Sequence, residues 1–153
     1  ATTRWFNGLN KLAPEKGMAL FVDRLLDFAR AHPEVFRILL LNIAQVHESG
    51  IIPGYRFIQD LFDRTTQTIK ETVPMRASDD DIEMFKRSFN SLVINYLGAS
   101  TYYAGILEMS PTGKKYRQWV KASLLSLFLP RLKELIAGEK GGSFFENQQP
   151  KIQ

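Results

Sequence analysis

No cysteine occurs among the 153 residues. That absence excludes disulfides, thiolate zinc sites, iron–sulfur ligation and a cysteine nucleophile. Histidine is nearly as scarce: His32 and His47 are the only two. They stand at a helix junction and a helix end, with no matching carboxylate motif to complete a metal site. No G-x-S-x-G elbow and no G-x-G-x-x-G fingerprint is present. The run Gly138-Glu139-Lys140-Gly141-Gly142-Ser143 has its glycines and lysine in the wrong order for a phosphate loop, and no strand precedes it. Asp79–Asp81 lack the alternation and the following glutamate of a calcium loop, so helix capping is their simpler role. The chain is therefore expected to carry no metal, no cofactor and no catalytic site.

Charge of one sign is also in short supply. A net +4 is too weak to mark a nucleic-acid footprint. Ala1 to Asn10 contain no apolar run of signal-peptide length. The longest uncharged stretch, Ser88 to Leu107, holds Asn90, Ser91, Asn95, Ser100, Thr101 and three tyrosines, which disfavours spanning a bilayer. A cytoplasmic chain without a membrane partner is the expectation.

Against these absences, 44% of the residues are apolar and 12% aromatic. A chain of this size forms one domain that buries roughly 70% of the surface its unfolded form exposes. Strand patterns are almost missing, while apolar residues recur at steps of three and four. The pattern predicts an all-α antiparallel bundle of about five main helices. A first helix over Glu15–Ala31 carries Met18, Phe21, Val22, Leu25 and Phe28 on one stripe, and His32-Pro33 breaks it. A second, Pro33–Glu48, is apolar around most of its circumference and ends at Ser49-Gly50. A third, Pro53–Val73, points Ile58, Leu61, Phe62 and Ile69 inward.

The fourth helix is the long one, Asp79 to Glu108, capped by Ser78 with acids in its first turn. It bears two apolar stripes, one through Ile82, Phe85, Phe89, Val93, Tyr96 and Tyr103, the other through Leu92, Asn95, Ala99, Tyr102 and Ile106. The fifth, Lys114–Ala137, is double-faced as well. Ala122, Leu125, Leu129, Leu132 and Ile136 lie on one side, and Tyr116, Trp119, Val120, Ser123, Leu127 and Pro130 on another. Pro130 should kink this helix or end its first segment. Residues 1–14 then form a linker or the remnant of a connecting helix, 15–138 the helical domain, and 139–153 a flexible tail.

Two stripes on each of the last two helices exceed what one small bundle covers. A homodimer in which both pair with their copies as a four-helix interface would bury the surplus. Its candidate residues are Leu92, Ala99, Tyr102, Tyr103, Ile106, Tyr116, Trp119, Ser123, Leu127 and Pro130. A phenylalanine surplus on the first four helices either fills a core or lines an apolar cavity, and the sequence leaves both open. The candidate pocket residues are Phe21, Leu25, Phe28, Leu39, Ile43, His47, Phe57, Leu61, Phe62, Phe89, Val93 and Tyr96.

In order along the chain stand His32-Pro33-Glu34-Val35-Phe36-Arg37-Ile38-Leu39, Gly98-Ala99, Tyr102-Tyr103, Leu107, Met109-Ser110-Pro111, Tyr116, Trp119-Val120 and Leu127-Phe128-Leu129-Pro130. This set resembles the C-terminal regulatory domain of TetR/AcrR-type transcriptional regulators, over about Glu15 to Gly138. The chain departs from that pattern where Ala1–Pro14 is too short for a three-helix DNA reader, and where Arg131 stands in place of a frequent glycine. The resemblance implies a sensor half of a one-component repressor: a homodimer that binds a small, mostly apolar effector. Operator DNA would be contacted only through the missing N-terminal helix-turn-helix domain. Effector and operator binding would be coupled through two arrangements of the helices. A helical protein–protein interaction module with no small-molecule ligand is the alternative. An enzyme using a Tyr, Asp or Glu is a third reading, which needs a clustered carboxylate with a perturbed pKa in a cleft.

Overall fold

The computed structural model describes residues 8–45 and 73–138. Among them are five α-helices and no strand: α1 (Pro14–Ala31), α2 (Pro33–Gln45), α3 (Asp79–Gly98), α4 (Ser100–Ile106) and α5 (Lys114–Ala137). A short 3-10 turn, Leu9–Lys11, precedes them. The helix expected over 53–73 and the tail over 139–153 lie outside the described residues, apart from Val73, which sits in a bend. No helix among the described residues is long and apolar enough to cross a membrane.

α1 begins with Pro14 at its first position, where the missing amide costs nothing. Met18, Val22, Leu25 and Leu26 recur on its buried face. Leu9, in the turn before it, is buried as well. The helix closes where the His32 amide donates to the Phe28 carbonyl at 2.8 Å, and Pro33 then opens α2. α2 buries Phe36 and Leu39 and leaves Ile38, Leu41 and Ile43 exposed. It packs chiefly on α3, while α5 packs on both α1 and α3.

α3 starts as the sequence indicates. The Ser78 hydroxyl accepts from the Asp81 amide at 3.2 Å and donates to its carboxylate at 2.7 Å. The expected long helix over 79–108 is instead divided. Ala99, at φ −107° and ψ 31°, leaves helical geometry, and α4 restarts at Ser100. Gly98, the last residue before the break, is where α2 comes closest: a Cβ there would stand 2.6 Å from the Phe36 carbonyl oxygen, so only glycine allows this approach. α4 also ends earlier than Glu108. That residue takes a left-handed φ of 53°, with the Met109 amide donating to the Ala104 carbonyl at 2.8 Å to close the helix.

α5 runs unbroken through Pro130 to Ala137, so of the two expected outcomes, a kink or an end, the proline does not end a segment. A proline leaves the carbonyl four residues back without a donor and crowds it with its ring, and Pro130 lies on the exposed side, where water can take that carbonyl. The buried stripe of α5 is Tyr116, Val120, Leu124 and Leu135. It falls between the two faces expected from the sequence, because α5 meets α1 and α3 at once. Beyond the helix, Gly138 has φ 73°, and the amides of Arg76 and Ala77 donate to the Leu135 carbonyl at 3.0 and 3.2 Å.

Ion pairs set the direction of α1 against α5. Glu15 pairs with Lys133, Asp23 with Lys121 at 2.6 Å, and Asp27 with Arg117 at 3.0 Å. Rising numbers on α1 meet falling numbers on α5, so the two helices are antiparallel. Arg131 ties α5 to the start of α3, donating to Asp81 at 2.7 Å and to Glu134 at 2.9 Å. Asp81 is thus used by a cap and an arginine.

Candidate functional site

Two features stand out above the packed core. The first is an unbroken run of aromatic rings across three helices. Tyr116 stacks on Trp119 with centroids 6.0 Å apart, and Trp119 meets Tyr96 edge-on at 5.0 Å. Tyr96 meets Tyr103 at 5.3 Å, and Tyr103 meets Tyr102 at 5.3 Å, both edge-on. The inner end is anchored. Tyr116 is only 3% exposed, and its hydroxyl donates to the Tyr96 carbonyl at 2.6 Å. That carbonyl is among the last of α3, which a helix end leaves without an amide partner. Burial pushes the Tyr116 phenol up to about 12, with Tyr103 and Tyr96 adding to the rise.

The outer end of the run is open. Tyr102 is 65% exposed, with Ile106 at 63% on the same short helix, and Leu127 on α5 is 59% exposed. These are three of the residues expected at the dimer interface. Leu92, Ala99, Tyr103, Trp119 and Ser123 are half-buried and Pro130 is exposed. Tyr116, expected beside them, points inward.

The expected pocket residues are distributed differently. Leu25, Leu39, Phe89 and Val93 are buried members of the core, with Phe21, Phe28 and Tyr96 packed against it. The rings touch one another: Phe21 and Phe89 at 6.0 Å, Phe85 and Phe128 at 5.6 Å edge-on, Phe89 and Phe128 at 5.1 Å edge-on. Ile43 is exposed. His47, Phe57, Leu61 and Phe62 lie outside the described residues.

The second feature is a cleft of about 540 Å³ at the other side of Tyr116. It lies where the end of α1, the start of α2, the α3–α4 break and the turn before α5 converge. Leu26, Phe36, Leu97 and Val120 are among its apolar lining. Arg30, Lys114 and Arg117 supply charge, and Ser100 and Thr112 hydroxyls. None of the expected pocket residues lines it. The signal available in the sequence was the basic start of the last helix, Lys114-Lys115 with Arg117, which runs against the usual preference for acids at a helix N-terminus.

Two charged arrangements also escaped the sequence reading. Lys86, 8% exposed, lies on the inner face of α3 and pairs with Glu83 one turn earlier. The Lys86 hydrogen bond leads the effects that hold the Glu83 carboxyl below its usual range, with Arg87 contributing. Arg117 donates to the Asp23 carbonyl at 3.2 Å as well as pairing with Asp27, so residues that look like an outward face of α1 are an inter-helix clasp. No group of three or more metal-binding side chains occurs among the described residues. Comparisons with protein-family models, with characterised proteins and with solved structures return no match.

Proposed function

We propose that this chain is the ligand-sensing and dimerisation region of a TetR-like one-component transcriptional repressor. It acts as a homodimer, binds a small, mostly apolar effector, and performs no catalysis of its own. Operator binding belongs to a helix-turn-helix domain outside these residues, whose affinity the effector alters.

The observation that carries the reading is the aromatic run from Tyr116 out to exposed Tyr102, with Ile106 exposed on the same helix; Leu127 is a separate exposed apolar residue on α5. Large apolar side chains left more than half exposed favour a partner surface over solvent. Aromatic enrichment is characteristic of interface centres. The face sits on the last helices, where the resemblance implies self-association, and it is wired by ring contacts to the inner turn of α5. An effector that alters the packing of that turn would alter the face, the differential contact that coupling requires.

Sedimentation velocity at micromolar concentration tests this. The chain is expected to sediment as a dimer, and Tyr102→Glu with Leu127→Glu to sediment as a monomer. An unpaired charge buried in an apolar interface costs about 3 kcal/mol or more, roughly a hundredfold in the dimer dissociation constant. A parent chain that stays monomeric up to high micromolar overturns the reading, and stoichiometric capture of a different protein on the Tyr102 face would replace it with the interaction-module alternative.

A further inference from the structure

We infer that the cleft between the end of α1, the start of α2 and the turn before α5 binds a small amphipathic organic anion, an apolar body carrying one carboxylate or sulfonate. The cleft is within the range of roughly 300–1,000 Å³ that drug-sized ligands occupy. Leu26, Phe36, Leu97 and Val120 give it an apolar lining, which suits a hydrocarbon or aromatic body and not a bare inorganic anion. Its described lining contains Arg30, Lys114 and Arg117 and no acidic side chain. A cationic ligand is therefore disfavoured, and a neutral one would make no use of the positive lining.

The surrounding charges point the same way. Arg30 and Arg117 share one carboxylate, Asp27, at 3.5 and 3.0 Å. Arg117 also approaches Asp23, which Lys121 holds more closely. Lys114 and Lys115 add two further cations in the first turn of α5, where no acid is present. Cations at a helix N-terminus oppose the macrodipole, and a bound anion relieves that conflict. Within the lining itself, Arg30 and Arg117 share Asp27 while Lys114 brings a further positive charge with no acidic side chain beside it, and that charge is what a bound anion would neutralise.

This assignment places ligand binding beside Phe36, at the edge of the phenylalanine cluster and not within it. It deepens the sensing reading and rests on it only for the consequence of binding, not for binding itself. Tyr116 lines the cleft and also begins the aromatic run that ends at Tyr102. A ligand seated against Tyr116 therefore touches the inner end of the ring series that leads to exposed Tyr102.

The test uses two dyes of similar shape, anilinonaphthalene sulfonate, which is anionic, and phenylnaphthylamine, which is not. Titration of the full chain with the sulfonate should shift the backbone amide resonances of Ala29, Thr112 and Gly113. Lys114→Glu with Arg30→Gln should weaken the sulfonate by about tenfold and phenylnaphthylamine by less than about twofold, as expected for lost charge pairing. Lys114→Arg should keep the parent affinity. If Arg30→Gln loses helicity by circular dichroism, Lys114→Glu alone decides, since Lys114 is exposed. Equal effects of the variants on both dyes, no effect on either, or resonance shifts confined to the Tyr102 and Ile106 face would overturn the assignment. A monomeric chain that binds the sulfonate as described refutes dimerisation and leaves the cleft assignment standing; a dimer indifferent to the sulfonate does the reverse.

Discussion

A methyl group at position 98 would stand 2.6 Å from the Phe36 carbonyl oxygen and 3.0 Å from the Leu40 Cβ. The first neighbour is backbone and cannot swing away, so α2 as a whole must move. Alanine gains up to about 1 kcal/mol in helix propensity, less at a helix end, against about 1–3 kcal/mol for overpacking. Gly98→Ala is expected to lower the urea midpoint of unfolding, the clash outweighing the propensity. Tyr116 gives a second prediction at this scale. Its phenol titrates near 12 when folded and near 10 when unfolded. Its stabilising contribution is then complete below about pH 10 and is lost as pH rises toward 12, at about 1.4 kcal/mol per pH unit. Absorbance at 295 nm should show a tyrosine ionising near 12 that Tyr116→Phe removes, together with loss of helical ellipticity. Tyr116→Phe should shift that alkaline transition to higher pH. Little of this was legible beforehand. Tyr116 shares its sequence spacing with half-buried Trp119 and exposed Leu127, and the packing of α5 on α1 and α3 is what buries it.

Caps and breakers were the most readable parts of the elements. Ser78 followed by three acids predicts the start of α3, and the structure supplies the hydrogen bond at 3.2 Å. Ser78→Ala should cost about 1 kcal/mol, read as a lower thermal midpoint. Arg131 makes this cap more than local, since it binds Asp81 from α5. Pro33 at the head of α2 and Gly138 past the end of α5 were equally clear, because each acts through its own backbone. The failures are non-local. Whether position 98 needs glycine depends on α2 pressing against it, and α2 is distant in sequence. Whether Pro130 ends α5 depends on which side of the helix it occupies. The positions of the two faces of α5 were likewise open until α1 and α3 fixed the direction of the core.

At the scale of the molecule, periodicity was enough to establish helices and to exclude sheets among the described residues, because the step of three and four is a property of the chain itself. It was also enough to show that the last two helices carry more apolar surface than one face needs, and Tyr102, Ile106 and Leu127 are where the surplus emerges. The location of a cleft was not available at that level. The sequence left open whether the phenylalanines fill a core or line a cavity; the described ones pack against each other, and a cleft among the described residues lies beside Arg30 of α1 and Lys114 and Arg117 of α5. By itself the sequence determined element type, capping and the absence of cysteine chemistry, since these depend on residues within a turn or two of each other or on composition. Only the tertiary structure decided which side of Tyr116 faces a neighbour, where α2 meets Gly98 and where empty space remains, because those depend on how helices far apart in the chain share a single volume.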